Sequence, residues 1–170
     1  RPMVIPKYDE VILVKNINGL SSVRAIEDLN PDVIIQAVAG ILYPQIFNLA
    51  KIATINLHLG IAPLLRGMEC TYWALWEKKP EWLGSTVHKI DEGLDTGDVL
   101  AYSFISGIHK AKDFPHLFVR TYQEGVNTMV QVLKRLQKGE KWVVNPPSGD
   151  RVYRSSFSGW KHLLLRLRGN

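Results

Sequence analysis

Asn56 and His58 stand two residues apart between apolar neighbours. Strand residues two apart face the same side, so an amide and an imidazole would point together. Asn offers an acceptor and an NH₂ donor; His offers a donor, an acceptor or a proton. A third polar group, Asp95, lies in the glycine-bearing loop Glu92-Gly-Leu-Asp-Thr-Gly97. A carboxylate near a histidine fixes its tautomer or raises its pKa. An amide plus an imidazole can donate hydrogen bonds to a developing oxyanion. The set suits transfer of an activated carbonyl group to a nucleophile. Cys70, the one cysteine, falls in a helical stretch and reads as a small buried residue. Direct transfer from donor to acceptor is therefore expected over a covalent intermediate. His88, beside Thr86 on one strand face, reads as structural. Arg66 holds a substrate or braces the loop.

These groups need a scaffold, and the pattern supplies one. Glu10–Val14 reads as a strand, then a helix capped by Ser21 or Ser22 shows Val23, Ile26 and Leu29 on one face. Val33–Ala39 is nearly all apolar, as in a strand buried on both faces. A short helix opens at Pro44, and the strand Ala53–His58 follows. Gly67–Lys79 reads as a helix with Met68, Tyr72, Leu75 and Trp76 on one face. Ser85–Asp91 and Asp98–Ile105 alternate as an antiparallel pair around the Asp95 loop. The longest helix spans Asp113–Lys138, with an inner face of Phe114, Leu117, Phe118, Thr121, Val126, Met129, Val130, Leu133 and Leu136, and Gly139 ends it. Alternating strands and helices imply an α/β domain with a mainly parallel sheet, whose ligands lie beyond the carboxyl ends of the strands.

A chain of 170 residues, 46% hydrophobic and 22% charged, can bury one core. No apolar run reaches the ~20 residues that span a bilayer, the cysteine usage suits a reducing cytoplasmic setting, and the scattered histidines form no metal pattern, so no metal is expected. Residues 151–170 carry Arg151, Arg154, Lys161, Arg166 and Arg168 with no acid, and account for the whole net charge of +5. A nucleic-acid enzyme spreads its basic stripe over the body, so nucleic-acid binding is not expected. The division is a catalytic domain over 1–145 and a basic tail over 146–170. In that tail Trp160, Leu163, Leu164 and Leu167 would pack on the domain.

Asn56-Leu-His58, Pro63-x-x-Arg66-Gly67, Trp73-Ala-Leu75, Gly84-Ser-Thr-Val-His88 and Asp95-Thr-Gly97, in this order, resemble the folate-dependent formyltransferase family. The resemblance runs from about Asn16 to about Lys138 and implies a Rossmann-like fold. It implies that Asn56, His58 and Asp95 are the catalytic set and that 10-formyltetrahydrofolate is the formyl donor. Asn56 and protonated His58 would stabilise the oxyanion while Asp95 holds His58 and helps move the amine proton. The pterin would lie against Ile90, Asp91, Glu92, Gly93 and Leu94, with Leu42 on the ring; ordinary core is the other reading of Leu42. Asp91 and Asp98 read as strand-end residues beside the catalytic Asp95.

The sequence departs from the family in three places. Gly60 and Ala62 replace a common Ser and Leu, changes expected to reshape the acceptor pocket. The first β-α units are expected to be absent, which leaves a sheet edge for a partner chain such as a second copy. Only a short segment follows Pro146. By elimination, the expected acceptor is a small amine such as a nucleotide-linked amino sugar. Hydrolysis of 10-formyltetrahydrofolate and a non-catalytic folate-binding module are the alternatives.

Overall fold

A parallel strand pair and two antiparallel pairings build the sheet that carries the candidate residues. The computed structural model describes residues 11–37, 40–106, 114–153 and 157–168. In chain order these form α1 (Leu20–Leu29), β1 (Val33–Gln36), α2 (Pro44–Phe47), β2 (Ala53–His58), β3 (Arg66–Gly67) and α3 (Cys70–Trp76). A 3₁₀ turn at Pro80–Trp82 precedes β4 (Gly84–Lys89), β5 (Val99–Phe104), α4 (Phe114–Gln137), β6 (Val152–Tyr153) and α5 (Gly159–Arg168). The parts of the expected strand and long helix at Val38, Ala39 and Asp113 lie outside the described residues, as does Glu10.

The main sheet has the order β1-β2-β4-β5. β1 runs parallel to β2, and β2–β4 and β4–β5 are antiparallel, the last being the expected pair around the Asp95 loop. The sheet is thus mixed. Its register sets Asn56 opposite His88 and His58 opposite Thr86. The β4–β5 ladder is irregular between Val87 and His88. Such an irregularity bends a strand and re-aims the neighbouring side chain.

One face of the sheet is covered by α4. Ile55, Leu57, Val87 and Leu100 pack with Met129, Val132 and Leu136. The inner line of α4 is Leu117, Thr121, Gly125, Met129, Val132 and Leu136, while Phe118, Val126 and Val130 of the expected face are exposed. Gly125 fixes this choice: a Cβ there would come within 2.7 Å of Ser85 Oγ and 2.8 Å of Leu57 Cδ1. The helix rests on the sheet at that point, and the line through Gly125 turns Val126 and Phe118 outward.

A second cluster joins the loop after β2 to the C-terminal segment. It contains Leu65, Cys70, Trp73, Ala74, Leu83, Leu117, Phe157 and Leu165. Cys70 is buried, as expected. The helix that holds it is shorter than expected, and its buried face is Cys70, Thr71, Trp73 and Ala74; Met68 is half exposed. Arg66 and Gly67 do not open this helix but form β3, paired in parallel with Val152 and Tyr153 of β6. Gly67 at φ 95° and Glu69 at φ 54° keep the backbone out of the helical region until Cys70.

Three further expectations are corrected. Residues 11–14 form no strand and pair with none of the described strands, and Val11 and Leu13 are exposed. The N-cap of α1 is Gly19, without a side-chain bond; Ser22 instead donates its hydroxyl to Asn16 O at 2.7 Å. In α5, Trp160, Leu163 and Leu167 are about 60% exposed and Leu164 about a third, and of the four only Trp160 has a ring contact with the body, edge-on to Trp76 at 6.1 Å. Leu165 and Lys161 face the body: Leu165 is buried and Lys161 Nζ lies 4.2 Å from the Trp73 ring centroid. A cation over an indole face is attracted by the ring quadrupole, so Lys161 takes the inward side that a hydrophobic count gives to Trp160.

Candidate active site

Asn56 and His58 lie in the last turns of pleat in β2, with both faces of the strand largely buried. The strand's alternation sends both side chains to one side. Asp95 comes to them from the β4–β5 connection, with its backbone in the left-handed region at φ 51°. An Asx turn shapes that connection: Asp91 Oδ1 accepts from Gly93 N at 3.0 Å and from Thr96 Oγ1 at 2.5 Å. An ion pair between Lys89 and Asp98, 3.0 Å long, closes its base. Asp91 and Asp98 are thus engaged in shaping the loop, and Asp95 alone of the three is turned into the cluster.

The Asp95 carboxylate receives four groups. Gly67 N donates to Oδ2 at 2.8 Å. His58 Nδ1 lies 3.4 Å from Oδ2 and His88 Nε2 lies 3.4 Å from Oδ1. Asn56 Nδ2 reaches Oδ1 at 3.5 Å and His88 Nε2 at 3.2 Å. His88 Nδ1 is 2.7 Å from Lys89 O; a carbonyl only accepts, so Nδ1 carries the hydrogen. Nε2 then offers its lone pair to Asn56 Nδ2, which sets the amide orientation. Reading His88 as a structural neighbour of Thr86 missed this. The signal was the strand pairing, since Asn56 and His88 are direct cross-strand partners.

His58 is buried and caught between two acceptors, Leu65 O at 2.8 Å from Nε2 and Asp95 Oδ2 beyond Nδ1. Burial lowers its pKa below the ordinary value; Asp95 and the Leu65 carbonyl push the other way, and His88 adds to the lowering. Burial also pushes the Asp95 carboxyl up, but the neighbouring His88 and His58 imidazoles and the Gly67 amide together outweigh it and hold it at about 2. Asp95 is therefore a carboxylate at neutral pH. Burial raises the Cys70 thiol far above its usual range, so it supplies no thiolate.

The neighbouring loop is fixed from β4 and β5. Thr86 Oγ1 accepts from Ala62 N at 3.0 Å and donates to Gly60 O at 2.6 Å, and Tyr102 OH donates to Ala62 O at 2.6 Å. Gly60 is buried, and a Cβ on it would lie 2.6 Å from both His58 Nε2 and Cys70 Cβ. It is a close-packing position behind the imidazole. Ala62 borders a cleft of about 270 Å³ that Arg66, Asp95, Thr96 and Val144 also line. Arg66 braces: its guanidinium pairs with Asp150 and reaches Leu94 O at 3.5 Å. Of the residues expected against a pterin, Leu42 is buried, Ile90 and Leu94 are half-buried, and Asp91, Glu92 and Gly93 are exposed. Among the described residues no group of His, Cys, Asp or Glu is arranged to hold a metal ion, and no helix is long and apolar enough to cross a membrane.

Comparison with known proteins adds an independent line. A family model described as formyl transferase matches residues 19–133. The methionyl-tRNA formyltransferase of Geobacter metallireducens is 33% identical over 130 residues, 76% of this chain and 41% of that protein. The enzyme of the same name from Caldanaerobacter subterraneus is 32% identical over 124 residues, 72% of this chain and 40% of that protein. The chain thus spans about 40% of the length of these curated relatives. Among solved structures, the formyltransferase PseJ from Anoxybacillus kamchatkensis, in complex with UDP-4,6-dideoxy-4-formamido-L-AltNAc and tetrahydrofolate, aligns over 72% of this chain and 64% of its own. Its TM-score is 0.61, with 25% identity. A sugar N-formyltransferase from Shewanella sp. shares the fold, with a TM-score of 0.71 at 17% identity over 91% of this chain and 65% of that one. With most of its length matched by the family model, and with its motifs in the family's order, the chain belongs to the formyl transferase family.

Proposed function

We propose that this chain carries a formyl-transfer site that moves a formyl group from 10-formyltetrahydrofolate to an amine by direct attack. The carrying observation is the convergence of Asn56, His58 and His88 on the Asp95 carboxylate. In the transfer, the amine lone pair forms the new C–N bond and the carbonyl electrons move onto oxygen. When they return, the bond to the donor nitrogen breaks, and the proton lost by the amine ends on that nitrogen.

Each residue has a role in that sequence. Asn56 Nδ2 donates to the oxyanion, and protonated His58, whose two N–H groups face Leu65 O and Asp95, stabilises it by its charge. For Asn56 this means releasing Asp95, the longer of its two contacts. Burial disfavours the charged imidazole, so the Asp95 carboxylate and the growing negative charge on oxygen together make protonation of His58 favourable. Asp95, ionised at neutral pH, holds His58 and relays the amine proton. Leu42 and the loop Ile90–Leu94 would hold the pterin, the exposed backbone of that loop reading its polar edge. Cys70 takes no part, which agrees with transfer without a covalent intermediate.

The proposed acceptor is a nucleotide-linked amino sugar, whose N-formylated form is the class of molecule named with the Anoxybacillus structure. Methionyl-tRNA is the second reading, favoured by the curated relatives. The test supplies 10-formyltetrahydrofolate with an amino-sugar nucleotide, with methionyl-tRNA, or with no amine, and follows tetrahydrofolate and formylated product by mass spectrometry. Transfer to either amine supports the reaction and names the acceptor. Formate release that needs no amine would make the chain a hydrolase, and folate binding without turnover would make it a binding module. Wild-type turnover that survives in both His58→Ala and Asp95→Asn would remove these residues from the mechanism.

A further inference from the structure

The C-terminal segment reaches the Asp95 carboxylate through one intervening strand. Arg66 N donates to Arg151 O and Met68 N to Tyr153 O, each at 2.8 Å. Successive amides of an extended chain point to opposite edges. Pairing residues 66 and 68 with the tail therefore turns the amide between them the other way, and Gly67 N donates to Asp95 Oδ2 at 2.8 Å. Only glycine fits there: φ is 95°, and a Cβ would lie 2.2 Å from Tyr153 O. The same tail holds the loop before Asp95. The Asp150 carboxylate accepts from Arg66 Nε at 3.0 Å, and the guanidinium extends to Leu94 O.

The tail strand is in turn fastened to α3. Tyr153 stacks on Trp73 with ring centroids 4.3 Å apart and an interplanar angle of 14°. Glu77 accepts from Tyr153 OH at 3.2 Å and from Arg151 Nη1 at 2.7 Å. Arg151 N also donates to Pro63 O at 3.2 Å. Trp73, Glu77, Arg151 and Tyr153 touch none of Asn56, His58 or Asp95 in this network; they act through the backbone of Arg66–Met68.

We propose that Asp150–Tyr153 is a positioning element of the transfer site, which aims the Gly67 amide at Asp95 and, through Arg66, holds the loop that presents Asp95. Tyr153 and Asp150 are its positioning residues. The inference rests on the formyl-transfer reading for its consequence in catalysis, but its physical content concerns Asp95 alone. With the tail strand loosened, Asp95 loses an amide donor that lowers its pKa.

The test uses the full chain with ¹³C-labelled aspartate, Asp95 being assigned by its loss in Asp95→Asn. In Tyr153→Ala the Asp95 carboxyl should titrate at higher pH than in wild type. kcat should fall by roughly tenfold to a hundredfold, the cost of a misplaced group, with KM for the formyl donor little changed. Tyr153→Phe keeps the ring on Trp73 and should restore both. Should Tyr153→Ala not fold, Glu77→Ala releases Tyr153 OH and Arg151 while leaving the stack, and should move the Asp95 titration in the same direction. A folded Tyr153→Ala in which Asp95 titrates as in wild type, or a folded Glu77→Ala that does so where Tyr153→Ala does not fold, overturns the inference, whatever its turnover. Because the titration needs no turnover, a shifted Asp95 in a protein that transfers no formyl group would sink the proposed function and keep this inference.

Discussion

Asn56 and His88 face each other across the β2–β4 ladder, with Asn56 Nδ2 3.2 Å from His88 Nε2. The imidazole orients the amide, and both touch the same carboxylate. His88→Ala should leave Asn56 free to turn and should lower kcat by about tenfold to a hundredfold, in the range expected when a donor is misplaced. KM for the formyl donor should change little. Steady-state kinetics of the purified variant, checked by circular dichroism for folding, decide this; an unchanged kcat would return His88 to a purely structural role.

Asp95→Asn should abolish measurable transfer and also act on His58. Asp95 raises the His58 pKa against the effect of burial. Removing its charge leaves burial opposed only by the Leu65 carbonyl, so His58 should titrate at lower pH in the variant. An NMR titration of the imidazole follows this directly. A His58 titration unmoved by the substitution would disconnect the two residues.

Acid should destabilise the fold through the same pair. Asp95 moves from an ordinary 3.8 to about 2 on folding, so the folded form binds fewer protons there. Its contribution is fully present above the unfolded value and is lost as pH falls through the folded one. The difference corresponds to about 2 kcal/mol. His58 acts in the same sense, because its lowered pKa makes protonation below its ordinary 6.5 costlier in the fold. Urea midpoints measured from pH 7 down to pH 2 should fall, with a smaller fall in Asp95→Asn between pH 4 and pH 2.

Gly60→Ser should destabilise the protein even though serine is common at this position in the family. A Cβ would press on Cys70 Cβ and His58 Nε2, both at 2.6 Å, and overpacking of this kind costs about 1–3 kcal/mol. Thermal melting measures it. A melting temperature at or above that of wild type would show that α3 shifts to make room.

Cys70 should resist alkylation in the folded protein at pH 8 and react after denaturation, since it is 1% exposed with a thiol pKa raised by burial. Cys70→Ala should keep transfer activity. Loss of transfer in a folded Cys70→Ala variant would reopen a covalent route.

The members of the Asp95 cluster were more legible in the sequence than its supports were. Asn56 and His58 share a strand and Asp95 sits in a glycine-bearing loop, so local spacing was enough to bring them forward. His88 required the pairing register, which no local pattern contains; its partner is 32 residues away. Residues 11–14 are apolar enough for a strand, but a strand exists only by pairing. The inner face of α4 turned on Gly125, a residue without a side chain to count. In α5 a cation over Trp73 took the inward side, a preference that hydrophobic patterning does not register. Gly60 looked like a change to the acceptor pocket, yet it packs behind His58, and Ala62 is the one that borders the cleft.

His58 with Leu65 O on one side and Asp95 on the other is a ring whose two neighbours both ask for a proton. With one hydrogen it leaves an acceptor facing a lone pair; with two it carries a charge into a dry interior. Neither form is at rest, so the imidazole is poised rather than settled. A reaction that places negative charge on a nearby oxygen tips that balance without His58 having to travel, and a rigid strand end is then enough to time the proton.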